Sequence, residues 1–103
     1  LAEIDTCVRH GFAPIAVIGN DGSWAQIARE QVEILEDDIG TVLNRCDYHK
    51  VAEGYGGVGL LLDDPADIDA LLDEAIEIAA TGRPVVLNVH ISATEFRNGS
   101  LSM

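Results

Sequence analysis

A short polar corner after the first apolar run carries the residue types with the clearest chemical potential. It consists of Asn20, Asp21, Gly22 and Ser23. The preceding run 15–18 predicts a short buried strand, and the following residues have helical periodicity. Such a corner presents free backbone N–H groups, which bind phosphate at a helix start, beside oxygens that bind Mg²⁺. The corner therefore predicts a site for a phosphate and a hard cation, and an ordinary strand-to-helix turn is the alternative.

Asp21 is the best candidate metal ligand, because Asn20 lies beside it and the carbonyl of Ser23 follows two residues later. Mg²⁺ is usually shared between one or two protein oxygens and the phosphates of a substrate. The corner supplies one carboxylate and one or two carbonyls, which is half a site, so we expect a second acidic ligand from elsewhere. Ser23 is also the predicted N-cap of the following helix.

Other polar residues give weaker signals. The carboxylates within 67–77 lack the glycine and the alternating oxygen ligands of a calcium loop, so a solvated helix face is favoured. His10, His49 and His90 share no metal-ligand spacing. We interpret His90 as a satisfied core or sheet-end histidine and the segment 47–50 as structural or capping. No nucleophilic unit of the Ser-His-Asp or Cys-His type is recognisable, so catalytic residues stay unassigned.

Strands and helices alternate along the chain. The predicted elements are a helix over 1–10, a strand over 14–18, a helix over 24–36, a short helix over 47–53 capped by Asp47, a strand over 59–62, a helix from Asp64 to Gly82 and a strand over 84–91. This order predicts an α/β fold, a parallel sheet with helices on both faces. Ligands of such sheets bind outside the carboxyl ends of the strands, where the corner lies. Residues 1–91 should form one portion of a domain, and 92–103 a polar C-terminal tail.

The composition excludes several classes of function. The 103 residues carry a net charge of −12, from 18 acidic and 6 basic residues, which repels nucleic acid and anionic membranes. No segment approaches the roughly 18 apolar residues of a membrane span, so we expect no membrane contact from this segment. Cys7 and Cys46 match no metal spacing and are expected to be reduced, half-buried thiols of a cytoplasmic protein. Because the sequence opens on Leu1 inside a helical pattern, we expect a fragment of a longer chain.

Several short motifs, taken together, indicate a resemblance to a known family. They lie at 3–10, 19–21, 29–31, 47–50, 54–57 and 96–100, with a Pro-Val-Val-Leu-Asn-Val strand before the last. In this order and spacing they resemble the C-terminal part of thiamine-diphosphate enzymes, and most closely the acetolactate synthase-like group that includes 2-hydroxyacyl-CoA lyases. The resemblance covers essentially the whole chain.

The resemblance implies that the corner binds thiamine diphosphate and Mg²⁺. In this family a motif that begins with Gly-Asp-Gly and ends in Asn-Asn holds both. Asp21 would take the place of the second Asn as metal ligand, with the carbonyl of Ser23 as the next ligand. Asn20, Gly22, Ser23 and Trp24 would contact the cofactor. Aspartate in place of asparagine keeps an oxygen ligand and adds a negative charge, which favours Mg²⁺ and disfavours diphosphate.

The resemblance also implies a larger parent. The Gly-Asp-Gly half is expected upstream of Leu1, and the glutamate that activates the cofactor in a separate N-terminal domain. In this family the cofactor lies between domains of two subunits, so we expect a homo-oligomer, a dimer or tetramer, and a fragment that is inactive alone. The parent would make or cleave a C–C bond next to a carbonyl, as an acetolactate-type carboligase or a 2-hydroxyacyl-CoA lyase. Its substrate would be a small 2-keto acid or 2-hydroxyacyl compound, and the ending 96–100 favours the lyase.

Two other hypotheses remain open from the residues. The chain could be a non-catalytic, acidic α/β module that binds a partner, with Asn20 and Asp21 forming a mere turn. It could also be a separate subunit that completes its site with another chain. A Gly-Asp-Gly after a hydrophobic strand upstream of Leu1 would favour the enzyme, and a gene start near Leu1 would favour the module.

Overall fold

The computed structural model describes residues 1–93. Its elements are α1 (Glu3–His10), β1 (Ile15–Asn20), α2 (Ala25–Leu35), α3 (Tyr48–Gly54), β2 (Val58–Leu62), a 3-10 turn (Pro65–Asp67), α4 (Ile68–Ala80) and β3 (Val85–His90). They divide into two compact units. The first unit contains residues 1–19 and 47–90, and the second contains 20–46 and the residues from Ile91. Most of the predicted tail, including the motif 96–100, lies outside the described residues.

The first unit is built on a three-stranded sheet in the order β1-β3-β2. β2 and β3 are parallel, with Val58 opposite Val85 and Leu62 opposite Val89. The N–H of Val85 also donates to the carbonyl of Pro14 at the start of β1. The side chains of β3 alternate between the two faces of the sheet and are nevertheless buried in succession from Val85 to Asn88, as expected when both faces are covered.

Helices pack on both faces of this sheet, which confirms the predicted α/β class. Ile4 of α1, Ala52 of α3 and Val86 of β3 form a buried core, against which Ala16 and Ile18 of β1 pack. α4 packs on β2 and β3. Val85 and Leu87, which flank Val86 on β3, point to the opposite face of the sheet and are also buried. We infer that α4 covers this second face. Among the described residues, none of the helices combines the length and apolar character of a membrane span.

The observed helix ends agree with some of the boundaries and caps predicted from the sequence and differ from others. Gly11 adopts the left-handed conformation at φ 70° and ends α1, which matches the predicted end of the helix at residue 10. Ser23, however, is not the N-cap of α2, so that prediction is wrong. It pairs with Val42 in an isolated antiparallel bridge, and Trp24 takes the cap position without a side-chain hydrogen bond. Asp47 does precede α3, but its carboxylate forms an ion pair with Lys50 at 3.2 Å and makes no capping hydrogen bond.

The cysteines are free thiols. Cys7 is partly buried, but Cys46 is exposed, so the expectation of two half-buried thiols holds only for the first. In the part of the chain that the structure describes, no group of three or more His, Cys, Asp or Glu side chains could hold a metal ion.

The 3-10 turn before α4 begins with a side-chain N-cap. The side chain of Asp64 accepts a hydrogen bond from the N–H of Ala66 at 3.0 Å, and Pro65 occupies the first position of the turn. We expect Asp64→Ala to lower the free energy of unfolding by about 1 kcal/mol, because that N–H then loses its acceptor. Urea unfolding followed by circular dichroism measures the change. Asp63→Ala, which removes a neighbouring exposed carboxylate, is the matched control, and equal stability of the two variants would contradict the assigned cap.

The outer strand of the described sheet leaves apolar surface exposed. On the side of β1 opposite its core residues, Val17 is 59% exposed and Ile15 is 38% exposed. An outer strand with an apolar, uncovered face is a site for association. We expect the chain to self-associate unless the rest of its parent polypeptide is present, and Val17→Lys to reduce that association. Light scattering at high protein concentration tests this, and a clean monomer of the unmodified chain would contradict it.

Candidate functional site

The predicted corner lies within the second unit and begins inside a strand. Asn20 is the last residue of β1 and is only 5% exposed, although the sequence predicts that the strand ends at Ile18. The carbonyl of Asn20 accepts a hydrogen bond from the N–H of Ile91 at 3.1 Å. This bond extends the strand by two residues, so a backbone interaction fixes the start of the corner.

The side chain of Asn20 holds the corner in shape. Its Oδ1 accepts the N–H of Gly22 at 3.2 Å, and its Nδ2 donates to the carbonyl of Cys46 at 3.1 Å. Both ends of the amide are therefore engaged with backbone groups, one within the turn and one in a segment distant in sequence. The side chain of Asn20 therefore links the turn to the backbone of Cys46.

Asp21 and Ser23 provide the free oxygens of the corner. The Oδ1 of Asp21 accepts the N–H of Ser23 at 3.0 Å, which orients the carboxylate. No hydrogen bond to the second carboxylate oxygen, or to the carbonyl of Ser23, is found among the described residues. One turn of chain thus offers a carboxylate and a carbonyl, both half-buried, to a hard cation.

Gly22 adopts a conformation that suits glycine. Its φ is +69°, in the left-handed region, and a Cβ would lie 3.4 Å from the carbonyl oxygen of Leu43. The carbonyl of Gly22 accepts the N–H of Leu43 at 2.7 Å, and the N–H of Trp24 donates to the carbonyl of Thr41 at 2.8 Å. These two bonds attach the turn to the neighbouring loop that contains Thr41 and Leu43.

The same bonds correct one expectation about anion binding. The N–H groups of Gly22, Ser23 and Trp24 donate to the Asn20 side chain, the Asp21 side chain and a loop carbonyl. The corner therefore does not present these three N–H groups as free donors, because the short Asn and Asp side chains fold back onto the backbone. A phosphate next to the corner would lie beside the oxygens of Asp21 and Ser23, while the corner's own N–H groups are engaged within the chain.

Gln31 of α2 organises the loop that pins the corner. Its Nε2 donates to the carbonyls of Asp37 and Ile39, at 3.0 and 2.8 Å. The hydroxyl of Thr41 donates to the carbonyl of Asp38 at 2.6 Å. In the sequence Gln31 belongs to the motif 29–31, and its role depends on a loop conformation that hydrophobic periodicity does not reveal.

A second polar arrangement lies in the first unit and was missed from the sequence. Asn88 of β3 is fully buried, and its Nδ2 lies 3.2 Å from Nδ1 of His49 on α3. Among the described residues, Nε2 of His90 is buried without a hydrogen-bond partner. His90 thus lies at the sheet end as interpreted, but its side chain is not satisfied. The available signal was an asparagine within an otherwise apolar strand.

Residues 1–89 match the family described as thiamine pyrophosphate enzyme, C-terminal TPP binding domain. A 2-hydroxyacyl-CoA lyase 2 of Danio rerio is 43% identical over 105 residues, which cover 100% of this chain and 17% of that protein. The Bos taurus protein of the same name is 44% identical, with the same coverage. A probable acetolactate synthase of Mycobacterium bovis is 35% identical over 89 residues, which cover 84% of this chain and 16% of that protein. The chain thus spans about a sixth of the length of the curated relatives it matches.

Proposed function

The chain belongs to the thiamine pyrophosphate enzymes, whose C-terminal TPP-binding domain it matches over residues 1–89, and on that premise we propose that its polar corner forms part of a site for thiamine diphosphate and Mg²⁺. The observation that carries this proposal is the pair of free oxygens, on Asp21 and Ser23, within one pinned turn directly after a parallel strand. Mg²⁺ retains several waters and takes one or two protein oxygens together with substrate phosphates. The donor set of the corner fits that requirement.

Each residue of the corner has its own part in this proposal. The carboxylate of Asp21 and the carbonyl of Ser23 would hold the metal ion, and the diphosphate together with a second acidic ligand from outside the corner would complete it. Asn20 and Gly22 keep the turn in the shape that places these oxygens. Trp24 is 58% exposed beside the corner and offers an aromatic surface to the cofactor.

The cofactor determines the class of reaction. When bound, thiamine diphosphate supplies the nucleophilic carbon with which enzymes of this family make or cleave a C–C bond next to a carbonyl. The protein contributes binding, orientation and the exclusion of water. We assign the parent to the lyase type, because the relatives named as lyases, at 43% and 44% identity, exceed the synthase at 35%. Cleavage of a 2-hydroxyacyl-CoA between its carbonyl and hydroxyl carbons yields an aldehyde and a one-carbon acyl-CoA, and all atoms are accounted for.

A homo-oligomer is part of the same proposal. It rests on the family to which the chain belongs, in which the cofactor lies between domains of two subunits. The acetolactate-type carboligase is the second candidate, supported by the synthase relative at 35% identity.

The test uses the complete polypeptide that contains this chain. It is incubated with thiamine diphosphate, Mg²⁺ and either 2-hydroxyoctanoyl-CoA or pyruvate, and the products are followed by mass spectrometry. We expect an aldehyde from the thioester, formed only when both cofactors are present. Acetolactate from pyruvate without any aldehyde would transfer the assignment to the carboligase. Absence of both products would favour the non-catalytic partner-binding module.

A further inference from the structure

The backbone of His49 is held tightly against the sheet of the first unit. Its carbonyl lies directly over Gly59 of β2, so closely that a Cβ on that glycine would overlap it. The residue as a whole is 9% exposed. His49 therefore has little freedom to move relative to β2.

The imidazole of His49 is fixed by a second contact. Its Nδ1 lies 3.2 Å from the Nδ2 of Asn88, a side chain that is itself completely buried. An amide –NH₂ group only donates hydrogen bonds, so Nδ1 is the acceptor. In the tautomer that accepts this bond at Nδ1, the ring hydrogen is on Nε2. Asn88 thus orients the ring and favours that tautomer.

The other ring nitrogen of His49 remains open. Within the described part of the chain, the buried side-chain atom found without a hydrogen-bond partner is Nε2 of His90, and Nε2 of His49 is not among such atoms. No hydrogen bond of His49 other than that to Asn88 is found among these residues. Its Nε2 therefore has no hydrogen-bond partner among the described residues, which leaves it able to bond to a bound molecule.

The ring points toward the end of the sheet where ligands bind. The carbonyl of His49 covers Gly59, which pairs with Val86, whereas the imidazole reaches Asn88, two residues farther along β3. Two residues of a strand span about 6.6 Å. The displacement runs toward the carboxyl end of a parallel strand, and ligands of open α/β sheets bind outside those ends.

We propose that His49 is a substrate-contacting residue, which donates its Nε2–H to the carbonyl oxygen of the 2-keto or 2-hydroxyacyl substrate, and that Asn88 is its positioning residue. This assignment rests on the proposed function. A histidine with one nitrogen fixed by an amide and the other nitrogen available recurs in catalytic sites, where the amide keeps the ring in its working orientation. The competing explanation is a buried polar pair that only stabilises the fold.

Two isosteric replacements in the complete polypeptide separate these explanations. His49→Gln keeps an N–H donor near the position of Nε2, whereas His49→Asn ends near the position of Nδ1 and cannot reach it. With 2-hydroxyoctanoyl-CoA or pyruvate as substrate, we expect kcat/KM to stay within about 3-fold for the Gln variant and to fall about 30-fold for the Asn variant. Asn88→Ala should lower kcat/KM about 10-fold through a higher KM, because the ring is no longer oriented.

Calorimetry, thermal unfolding and a control variant distinguish a loss of substrate contact from a loss of cofactor binding or of folding. Calorimetry should show the same affinity for thiamine diphosphate in all variants, and thermal unfolding reports their folding. His10→Leu, which alters an exposed histidine, should leave kcat/KM unchanged. Equal kcat/KM for the Gln and Asn variants would overturn the assignment of His49, even if both melt at lower temperatures. If the unmodified polypeptide binds no thiamine diphosphate, or converts neither substrate, the proposed function fails, and this proposal fails with it.

Discussion

Replacing Asp21 with alanine is expected to weaken the Mg²⁺-dependent binding of thiamine diphosphate to the complete polypeptide by at least about 100-fold. Removal of an outer-shell partner of a metal ligand already costs 10- to 100-fold in affinity, and a direct ligand should cost more. The variant also loses the acceptor of the Ser23 N–H, which is 3.0 Å from Oδ1 in this structure. Isothermal titration of thiamine diphosphate, with Mg²⁺ in excess, measures the change.

Two further variants control the Asp21 experiment. Asp21→Asn retains an oxygen for the metal and an acceptor for the turn, and it removes the negative charge next to the diphosphate. We expect it to bind the cofactor within about 10-fold of the unmodified protein, because one ligand oxygen is preserved. Asp63→Ala removes an exposed carboxylate outside the corner and should have no effect. Unchanged affinity in the Asp21→Ala variant would show that the metal ion is held elsewhere.

Gly59→Ala is expected to lower the stability of the chain more than alanine at any other glycine for which the Cβ contacts are known. A Cβ at this position would overlap the carbonyl group of His49, so the clash is with backbone and cannot be relieved by a rotamer change. Overpacking in a core typically costs 1–3 kcal/mol and sometimes more, and we expect about 3 kcal/mol or more here. Since the whole stability of a domain is roughly 5–15 kcal/mol, the variant should be largely unfolded at moderate urea concentrations.

Gly54→Ala provides the matched control for this methyl addition. A Cβ on Gly54 at the end of α3 would meet nothing within 4 Å. We therefore expect this variant to be as stable as the unmodified chain or slightly more stable. Urea unfolding followed by circular dichroism compares the two. Equal midpoints for the two alanine variants would contradict the close approach of α3 to β2.

The order of the elements could be predicted because it depends on local signals. Hydrophobic periodicity predicted the helices and strands found in residues 1–93, including the helical segment that begins after Asp64. The errors arose where a distant residue intervenes. Val42 pairs with Ser23 and displaces the helix start, and Ile91 bonds to Asn20 and extends β1. Neither partner is visible from the sequence neighbourhood of the corner.

The candidate site was predictable in its residue types and only partly in its geometry. Asp21 and the carbonyl of Ser23 follow from the sequence as oxygen donors, and the structure leaves both with free acceptor capacity. The sequence does not show that the side chains of Asn20 and Asp21 accept hydrogen bonds from the N–H groups of the corner. These side chains take the place that an external anion would need. The buried pair of His49 and Asn88 depends on the packing of α3 against β3, which no spacing in the sequence encodes.

The central claim is that the corner after β1 holds the metal ion of the cofactor, and anomalous diffraction tests it most directly. Crystals of the complete polypeptide would be grown with thiamine diphosphate and Mn²⁺ in place of Mg²⁺, and data collected at the manganese absorption edge. We expect one strong anomalous peak at coordination distance, about 2.0–2.3 Å, from the Asp21 carboxylate and the Ser23 carbonyl. A cofactor bound with its manganese peak away from both oxygens would contradict the account.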